Sequence, residues 1–565
     1  MEFRLASAAF IAVFATYLFL GGMGATDRGD VDPRDTGYNQ LAAGLLSGHL
    51  YLPQEAPPGL AQLADPYDPA ANVAFRTDAR FRLHDVSFYR GRLYLYFGVA
   101  PAVLLFAPWH LATGSWLPNW VAVVAICSAG VLVNLSLVRS VRVRVFPASP
   151  AWMTAVFALV LGLGSYAPIL LSRASLWEVP IAFCYLGVSV ALRCVWQALC
   201  DPAHPARWTA LASAALGVAA GSRPTVLPAA LILLVPLLAP EARRQVRCWA
   251  AAALPLGVCV ACLALYNQAR FGSPFEFGTR YMLSGMAPDS VPSFRLAYFW
   301  TNVRLHLFLP VDWLRTFPFV HEPEAALLHA NPGTTQHMSG VLLNSPFLWV
   351  ALAVPVFIRA RRPGRPFTLL CAAAAWTTFS ALGVLLLFSG SLGRYQTDYV
   401  PGLALLACVG LMALETVAVG RARVLARFAW VPAVVMTLAF PVLYGIDQCV
   451  TAYNTNSFTF LSRGDLVDAE REVETAKFLA PGNPVSRLVS ALILARRDPA
   501  RGLDAYASLV RDFPDYAPAH YLLANALWGQ GRWDEALAHY RTAHRLAPDN
   551  PGIEVDLERA EARGK

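Results

Sequence analysis

Runs of about 20 apolar residues, long enough to cross a bilayer, recur along most of this chain. The first is Leu5 to Gly24. Asp and Arg follow it rather than a small-residue cleavage site, so it reads as an uncleaved anchor. Ten more lie at 119–138, 151–171, 179–199, 208–221, 227–240, 248–266, 339–358, 367–388, 399–419 and 428–446. A further stretch, Leu93 to Thr113, contains Pro101 and Pro108, which break or kink a helix. Beyond about Asp447 the long apolar runs stop and the sequence turns polar and charged.

Charge in the short loops decides how the runs are threaded. Five loops carry Arg139, Arg142 and Arg144; Arg193 and Arg207; Arg243, Arg244 and Arg247; Arg359, Arg361, Arg362 and Arg365; and Arg421, Arg423 and Arg427. Against these fifteen arginines stand Asp201 and Glu241. If 93–113 does not span, all five loops share one side with Arg4. The segment therefore reads as a juxtamembrane or re-entrant helix. The short pair 208–221 and 227–240 counts as two spans or none without changing the parity. The expectation is a cytoplasmic N-terminus and an extracytoplasmic C-terminus in a bacterial inner membrane. Three large regions, 25–118, 267–338 and 447–565, then face outward.

The last of these carries an internal repeat. Gly464 to Ala469, Ala476, Pro481, Asn483 and Pro484 align with Gly531 to Ala536, Ala543, Pro548, Asn550 and Pro551 at an offset of 67 residues. Tyr506 and Pro514 sit 34 residues before Tyr540 and Pro548. Leu523, Ala524, Gly531, Ala536, Tyr540, Ala543 and Pro548 fit the tetratricopeptide pattern. In it, small residues let two helices cross closely and Pro ends the second. Three repeats are expected, at about 449–482, 483–516 and 517–550, with a polar helix at 551–563 capping the stack. The fold class is thus all-α: a polytopic membrane helical bundle over 1–446 and a C-terminal α-solenoid of tetratricopeptide repeats over 447–565.

Composition narrows the function classes. The chain has 565 residues, 56% hydrophobic and 15% charged, with a mean hydropathy of +0.45. That excludes a disordered chain and a soluble enzyme of this size. The net charge of +8 does not indicate nucleic acid, because the arginines lie in loops between apolar runs. Only Lys477 and Lys565 are lysine; with abundant Ala and Pro, this points to a GC-rich bacterial genome. Cys259 and Cys262 form a CxxC inside an apolar run and read as small membrane-core residues, not a redox pair. Neither HExxH nor a His/Cys cluster with metal-ligand spacing is present. No cofactor is expected, although a divalent metal stays open.

Candidate chemistry begins after the first span. Asp27, Asp30, Asp32 and Asp35 precede Tyr38, Leu41, Ala42 and Leu45, which recur at i, i+3, i+4 and i+7. That pattern is an amphipathic interfacial helix. Carboxylates at its start can be caps or dipole partners. The order also resembles the membrane glycosyltransferases of the GT-C fold, in particular the family of protein O-mannosyltransferases and the lipid A aminoarabinose transferase. HDVSFYRGRLYLYFGVAPAVLLFAPWHLATG (84–114), YNQARFGSPFEFGTRY (266–281) and GRYQTDYVPGLALL (393–406) are similar to further patches of that family. The family's acidic pair before the Tyr is not reproduced: Asp35 stands three residues ahead of Tyr38, with no Glu beside it.

The resemblance implies transfer of a sugar from a polyprenyl-phosphate donor to a lipid, glycan or protein acceptor on the extracytoplasmic face. It makes Asp35 or Asp32 the general base and Arg92 the first choice for the donor phosphate, ahead of Arg280 and Arg394. Arginine suits that role through its planar donors. Glu178 fills the place of an acidic residue in the second outer loop, or is an interfacial surface residue. His84 and Asp85 are alternative polar site residues. Protein partners are expected through the repeats. Two other readings stand beside the transferase: an O-antigen ligase or polymerase, and a non-catalytic membrane scaffold that presents the repeats to envelope partners.

Overall fold

In the computed structural model, residues 2–24, 32–76, 83, 85–287, 290–323, 335–418 and 420–563 are described. They form two compact units, one of residues 1–312 and 322–445, the other of 313–321 and 446–565. Among the described residues seven helices are long and apolar enough to cross a membrane. They are Glu2–Met23, Asn119–Val145, Glu178–Cys200, Val246–Phe271, Arg365–Leu387, Val400–Val417 and the Arg423–Arg463 part of helix Gly420–Arg463.

Four of the eleven apolar runs do not become such helices, mostly because of proline. The run 151–171 is helical over Met153–Gly162 and Ala167–Leu171. It breaks at Tyr166, which takes a left-handed φ of +65° two residues ahead of Pro168. The run 227–240 becomes 3-10 turns, Pro224–Leu234 and Pro236–Leu238, with Pro228 inside the first. The run 339–358 splits into Val341–Asn344, a 3-10 stretch Pro346–Leu352 and helix Ala353–Arg361. The run 208–221 is one helix, Pro205–Ser222, rich in Ala and Gly and less apolar than the seven. Segment 93–113 opens as strand Arg92–Tyr94 and turns helical only over Ala102–Thr113. Twelve residues rise about 18 Å, short of the roughly 30 Å hydrocarbon core.

The arginine-bearing loops gather at one end of this bundle. Glu2 accepts from Arg142 at 2.7 Å, Arg139 at 3.3 Å and Thr154 at 3.1 Å. Phe146 packs on Phe357 and Phe367, Trp152 stacks on Trp430, and Arg365 reaches the Leu238 carbonyl. The long loops gather at the opposite end. Strand Val86–Tyr89 pairs antiparallel with Arg92–Tyr94 and with Met282–Leu283, which joins the first loop to the loop after helix Val246–Phe271. That second loop also pairs with the chain beyond helix Arg365–Leu387: Thr335–Gln336 runs parallel to Ser391–Leu392.

The second unit is a stack of short helices: Leu466–Leu479, Pro484–Arg497, Pro499–Asp512, Ala517–Gly529, Trp533–Leu546 and Pro551–Arg563. The first helix of the expected repeat 449–482 is not separate; it is the last part of Gly420–Arg463. Asp465, Asn483 and Asp498 cap the helices that follow them through their side chains. Gly464 and Gly531 occupy equivalent turns with φ of +83° and +77°, a conformation that favours glycine. Tyr506, Leu523, Ala524, Ala536, Tyr540 and Ala560 make one core. Helix Pro551–Arg563 buries Ile553 and Ala560 against the preceding pair and exposes much of its remaining surface.

Candidate functional site

The end of the bundle that carries the long loops also carries its densest group of charges. Glu178 opens helix Glu178–Cys200 and is 1% exposed. One carboxylate oxygen accepts from the Ser175 N–H at 3.1 Å and the Ser175 hydroxyl at 2.6 Å, which closes the turn ahead of the helix. The other oxygen faces Arg394 at 3.3 Å. Glu178 is therefore no surface residue. It both ties down the Ser175 turn ahead of its helix and anchors a cation.

Arg394 stands in the 3-10 segment Gly393–Asp398. Gly393 lets this segment approach the His337 carbonyl so closely that an added Cβ would lie 2.0 Å from that oxygen. Burial works against the Arg394 cation, yet Glu178, Tyr395 and Tyr96 together hold its pKa above the ordinary value. Its Nε is buried and has no hydrogen-bond partner among the described residues. Four residues on, Asp398 takes Arg223 on both oxygens, at 2.7 and 3.0 Å, and Arg223 lies 4.5 Å over the Tyr395 ring. Burial pushes the Asp398 carboxyl above its ordinary range, against the pull of Arg223.

Asp85 and Arg173 complete the group. Asp85 holds a left-handed φ of +58° ahead of strand Val86–Tyr89 and accepts from Trp177 Nε1 at 3.0 Å. Arg173 lies 4.9 Å over the Trp177 ring. Its pKa is lowered by burial and by Arg394, against the attraction of Glu178 and Asp85. The Tyr96 hydroxyl is pushed well above its ordinary pKa by burial, then by Asp85 and Tyr395. Three arginines and three carboxylates from four chain segments thus converge on Trp177 and Tyr395.

Of the residues expected from sequence, Glu178, Arg394 and Asp85 come together here. Asp35 and Asp32 lie nearby in the chain order of the first loop but outside the network. Asp32 accepts from the Arg34 N–H at 2.9 Å and caps the turn Pro33–Asp35, the structural role open to it from the start. Asp35 is exposed, and its carboxylate has no partner among the described residues. It precedes helix Gly37–Leu46, which Asn39 ties to the Leu117 carbonyl at 2.8 Å. The start of that helix sits against the cluster: a Cβ on Gly37 would lie 3.0 Å from Leu176. Arg92 is exposed on its strand and rests 4.5 Å over the Tyr51 ring. Arg280 is exposed in the turn Thr279–Tyr281. Neither joins the ion pairs of the cluster. His84 lies outside the described residues. The buried cation near these strands is instead Arg270, which donates to the Leu95 carbonyl at 2.7 Å and to Asn267 at 2.7 Å.

Arg173, Arg223 and Asp398 were not singled out by motif. Their signal is a charge inside an interruption of the apolar pattern: SRASLW, GSRPT and QTDYV. Charges at such depth are costly unless paired or functional. Among the described residues no three His, Cys, Asp or Glu side chains are grouped to hold a metal ion.

The second unit adds a recognition surface. Tyr540 and Tyr521 engage Asn525 and Asp556 across helices, and His520 Nδ1 meets His539 Nδ1 at 3.0 Å. Residues 494–551 match the tetratricopeptide repeat family. No curated protein matches the chain. Stacked tetratricopeptide repeats present extended binding surfaces for other proteins, and they supply no reaction of their own. Any chemistry must come from the membrane-type unit.

Proposed function

We propose that the chain is an integral membrane glycosyltransferase that moves a sugar from a polyprenyl-phosphate donor to an acceptor on the extracytoplasmic face. The observation that carries this reading is the buried cluster Arg394–Glu178 with Arg173 and Trp177 beside it, gathered where the long loops meet the apolar helices. A lipid-borne phosphate arrives at that depth, and an aqueous acceptor arrives through the loops. Arg394 and Arg173 bind the donor phosphate. The unpartnered Arg394 Nε supplies a donor that a phosphate oxygen can accept from, and charge-assisted bonds of this kind are the strong ones. Glu178 positions Arg394, and Asp85 positions Trp177. Asp35, exposed and without a partner among the described residues, is the base that takes the acceptor proton as the acceptor oxygen attacks the anomeric carbon; the bond from that carbon to the phosphate oxygen breaks, and polyprenyl phosphate leaves with the bonding electrons, held by Arg394 and Arg173. Arg92 has no part in donor binding in this arrangement.

The repeats hold a protein partner, which makes a protein acceptor the first to try. The test is transfer of radiolabelled sugar from polyprenyl-phosphate donors in membranes containing the full chain. Transfer that Arg394→Ala abolishes supports the reading. Transfer that is indifferent to Arg394→Ala removes the cluster from it. Protein partners captured by the repeats, with no transfer from any donor tried, favour the scaffold.

A further inference from the structure

At the opposite, arginine-rich end of the bundle lies a groove that the proposed reaction does not use. It has a volume of about 1010 Å³, the upper end of the roughly 300–1,000 Å³ typical of small-molecule sites. Helices Glu2–Met23, Asn119–Val145 and Glu178–Cys200 form its walls. We propose that this groove binds one anionic phospholipid of the surrounding bilayer.

The lining is divided along the helix axes. Phe3, Ala6, Phe10 and Ile11 line it from the first helix, and Leu132 and Leu135 from the second. From Phe3 to Ile11 the helix rises about 12 Å. A single leaflet of hydrocarbon is about 15 Å deep, half of the roughly 30 Å core. Acyl chains therefore match the apolar part in both chemistry and depth. Phe3 is 83% exposed and Ile11 64%, so this wall is open to a neighbour.

The polar part lies toward the helix ends. Arg144 is in the last turn of the second helix, Arg139 six residues before that helix ends, and Arg193 seven residues before the third ends. Glu2 is the acidic group in the lining; Arg142, outside the lining, pairs with it at 2.7 Å and Arg139 at 3.3 Å. Three arginines thus line a site whose one carboxylate is shared between Arg139 and Arg142, which leaves a positive excess. Ser136 accepts from Arg193 Nε at 3.2 Å. With its amide turned to accept, Gln197 takes both terminal nitrogens of Arg193 at 2.8 and 2.9 Å. Arg193 is thereby fixed in the groove instead of reaching freely into solvent. Basic pockets between membrane helices that open on an apolar wall are suited to anionic headgroups. A zwitterionic lipid has the chains but lacks the net charge to meet this positive excess.

The test uses the full-length protein in phosphatidylcholine bilayers that contain spin-labelled phosphatidylglycerol or spin-labelled phosphatidylcholine. Electron paramagnetic resonance reports the fraction of label immobilised on the protein. Phosphatidylglycerol should be preferred. Combining Arg139→Gln, Arg144→Gln and Arg193→Gln should cut that preference at least about fivefold, roughly the contribution of one well-placed arginine. Ile11→Trp, which fills the apolar part and leaves every charge in place, should cut it as well, and it carries the test alone if the triple variant does not fold. Arg359→Gln with Arg361→Gln, on another arginine loop, should not. Equal association of the two lipids with the wild type overturns the proposal. So does an equal loss in the Arg359/Arg361 control, which would trace the preference to diffuse surface charge, or a preference unchanged by Ile11→Trp.

Discussion

Removing Glu178 and Arg394 together should destabilise the membrane-type unit by less than the sum of the two single removals. At 3.3 Å and an effective dielectric near 20, the two charges attract by about 5 kcal/mol. Desolvation of both ions offsets most of that, so the net worth of the pair is small. A single truncation is different. Glu178→Ala strands a guanidinium that keeps only 16% side-chain exposure, and breaking one partner of such a pair costs about 3–5 kcal/mol. It also strands the donors of buried Ser175, a further loss of about 1–3 kcal/mol. Arg394→Ala leaves a carboxylate that still accepts from Ser175 and should cost less. The double variant should recover part of the sum, with a coupling energy of about 1.5–3 kcal/mol, as for residues in one buried network. The assay is unfolding of the four proteins in one detergent, followed by exposure of buried cysteines such as Cys184 and Cys194 to a thiol reagent. Additive losses, within about 0.5 kcal/mol, would refute the pairing of Glu178 with Arg394.

Asp35→Asn should lower sugar transfer at least about a hundredfold with protein level and donor binding unchanged, whereas Asp32→Asn, at a capping position, should leave turnover intact; the reverse result moves the base to Asp32. The repeats should lose stability on acidification. Burial and then His520 hold the His539 pKa below its ordinary value against the pull of Glu535. Its contribution is complete above the unfolded pKa near 6.5 and is lost as pH falls through the lower folded value. Melting of the expressed fragment 449–563 should therefore drop as pH falls below about 6.5, and a melt that stays unchanged on that acidification counts against the His520–His539 contact. An alkaline phosphatase fused after Lys565 should be active and one fused near Arg361 inactive; the opposite pattern would invert the expected threading.

Much of the fold is legible in the residues. The 67-residue offset places Gly464 and Gly531 in equivalent turns, and both take the same left-handed conformation. Polarity alone marks the change from membrane helix to repeat helix, yet it does not mark a break: Gly420–Arg463 carries the first repeat helix without interruption. The site was only half legible. Glu178, Asp85 and Arg394 stand beside recognisable patches, but proximity to a patch does not tell a buried ion pair from an exposed one. Arg92 and Arg280 have the same chemistry as Arg394 and lie exposed on a strand and in a turn. What separates them is tertiary: Gly393 presses the Arg394 segment against His337, a contact between residues that no local pattern connects.

The interruptions of helix around the site and the charges it holds have one physical cause. The break at Tyr166 and Pro168 leads into Arg173 and Glu178. The stop between Ser222 and Pro224 presents Arg223 in extended backbone, at φ −150°. The gap between Leu387 and Val400 holds Arg394 and Asp398 in a 3-10 turn. In apolar surroundings, backbone that leaves the helix must be buried in protein or line a cavity, because its polar groups find no water. An unbroken helix would carry these side chains past one another on separate cylinders. Ending it early turns three helix ends toward a common centre, where Arg223 meets Asp398 and Arg394 meets Glu178. A charge at the point where an apolar run stops is therefore a better pointer to this site than any motif of consecutive residues.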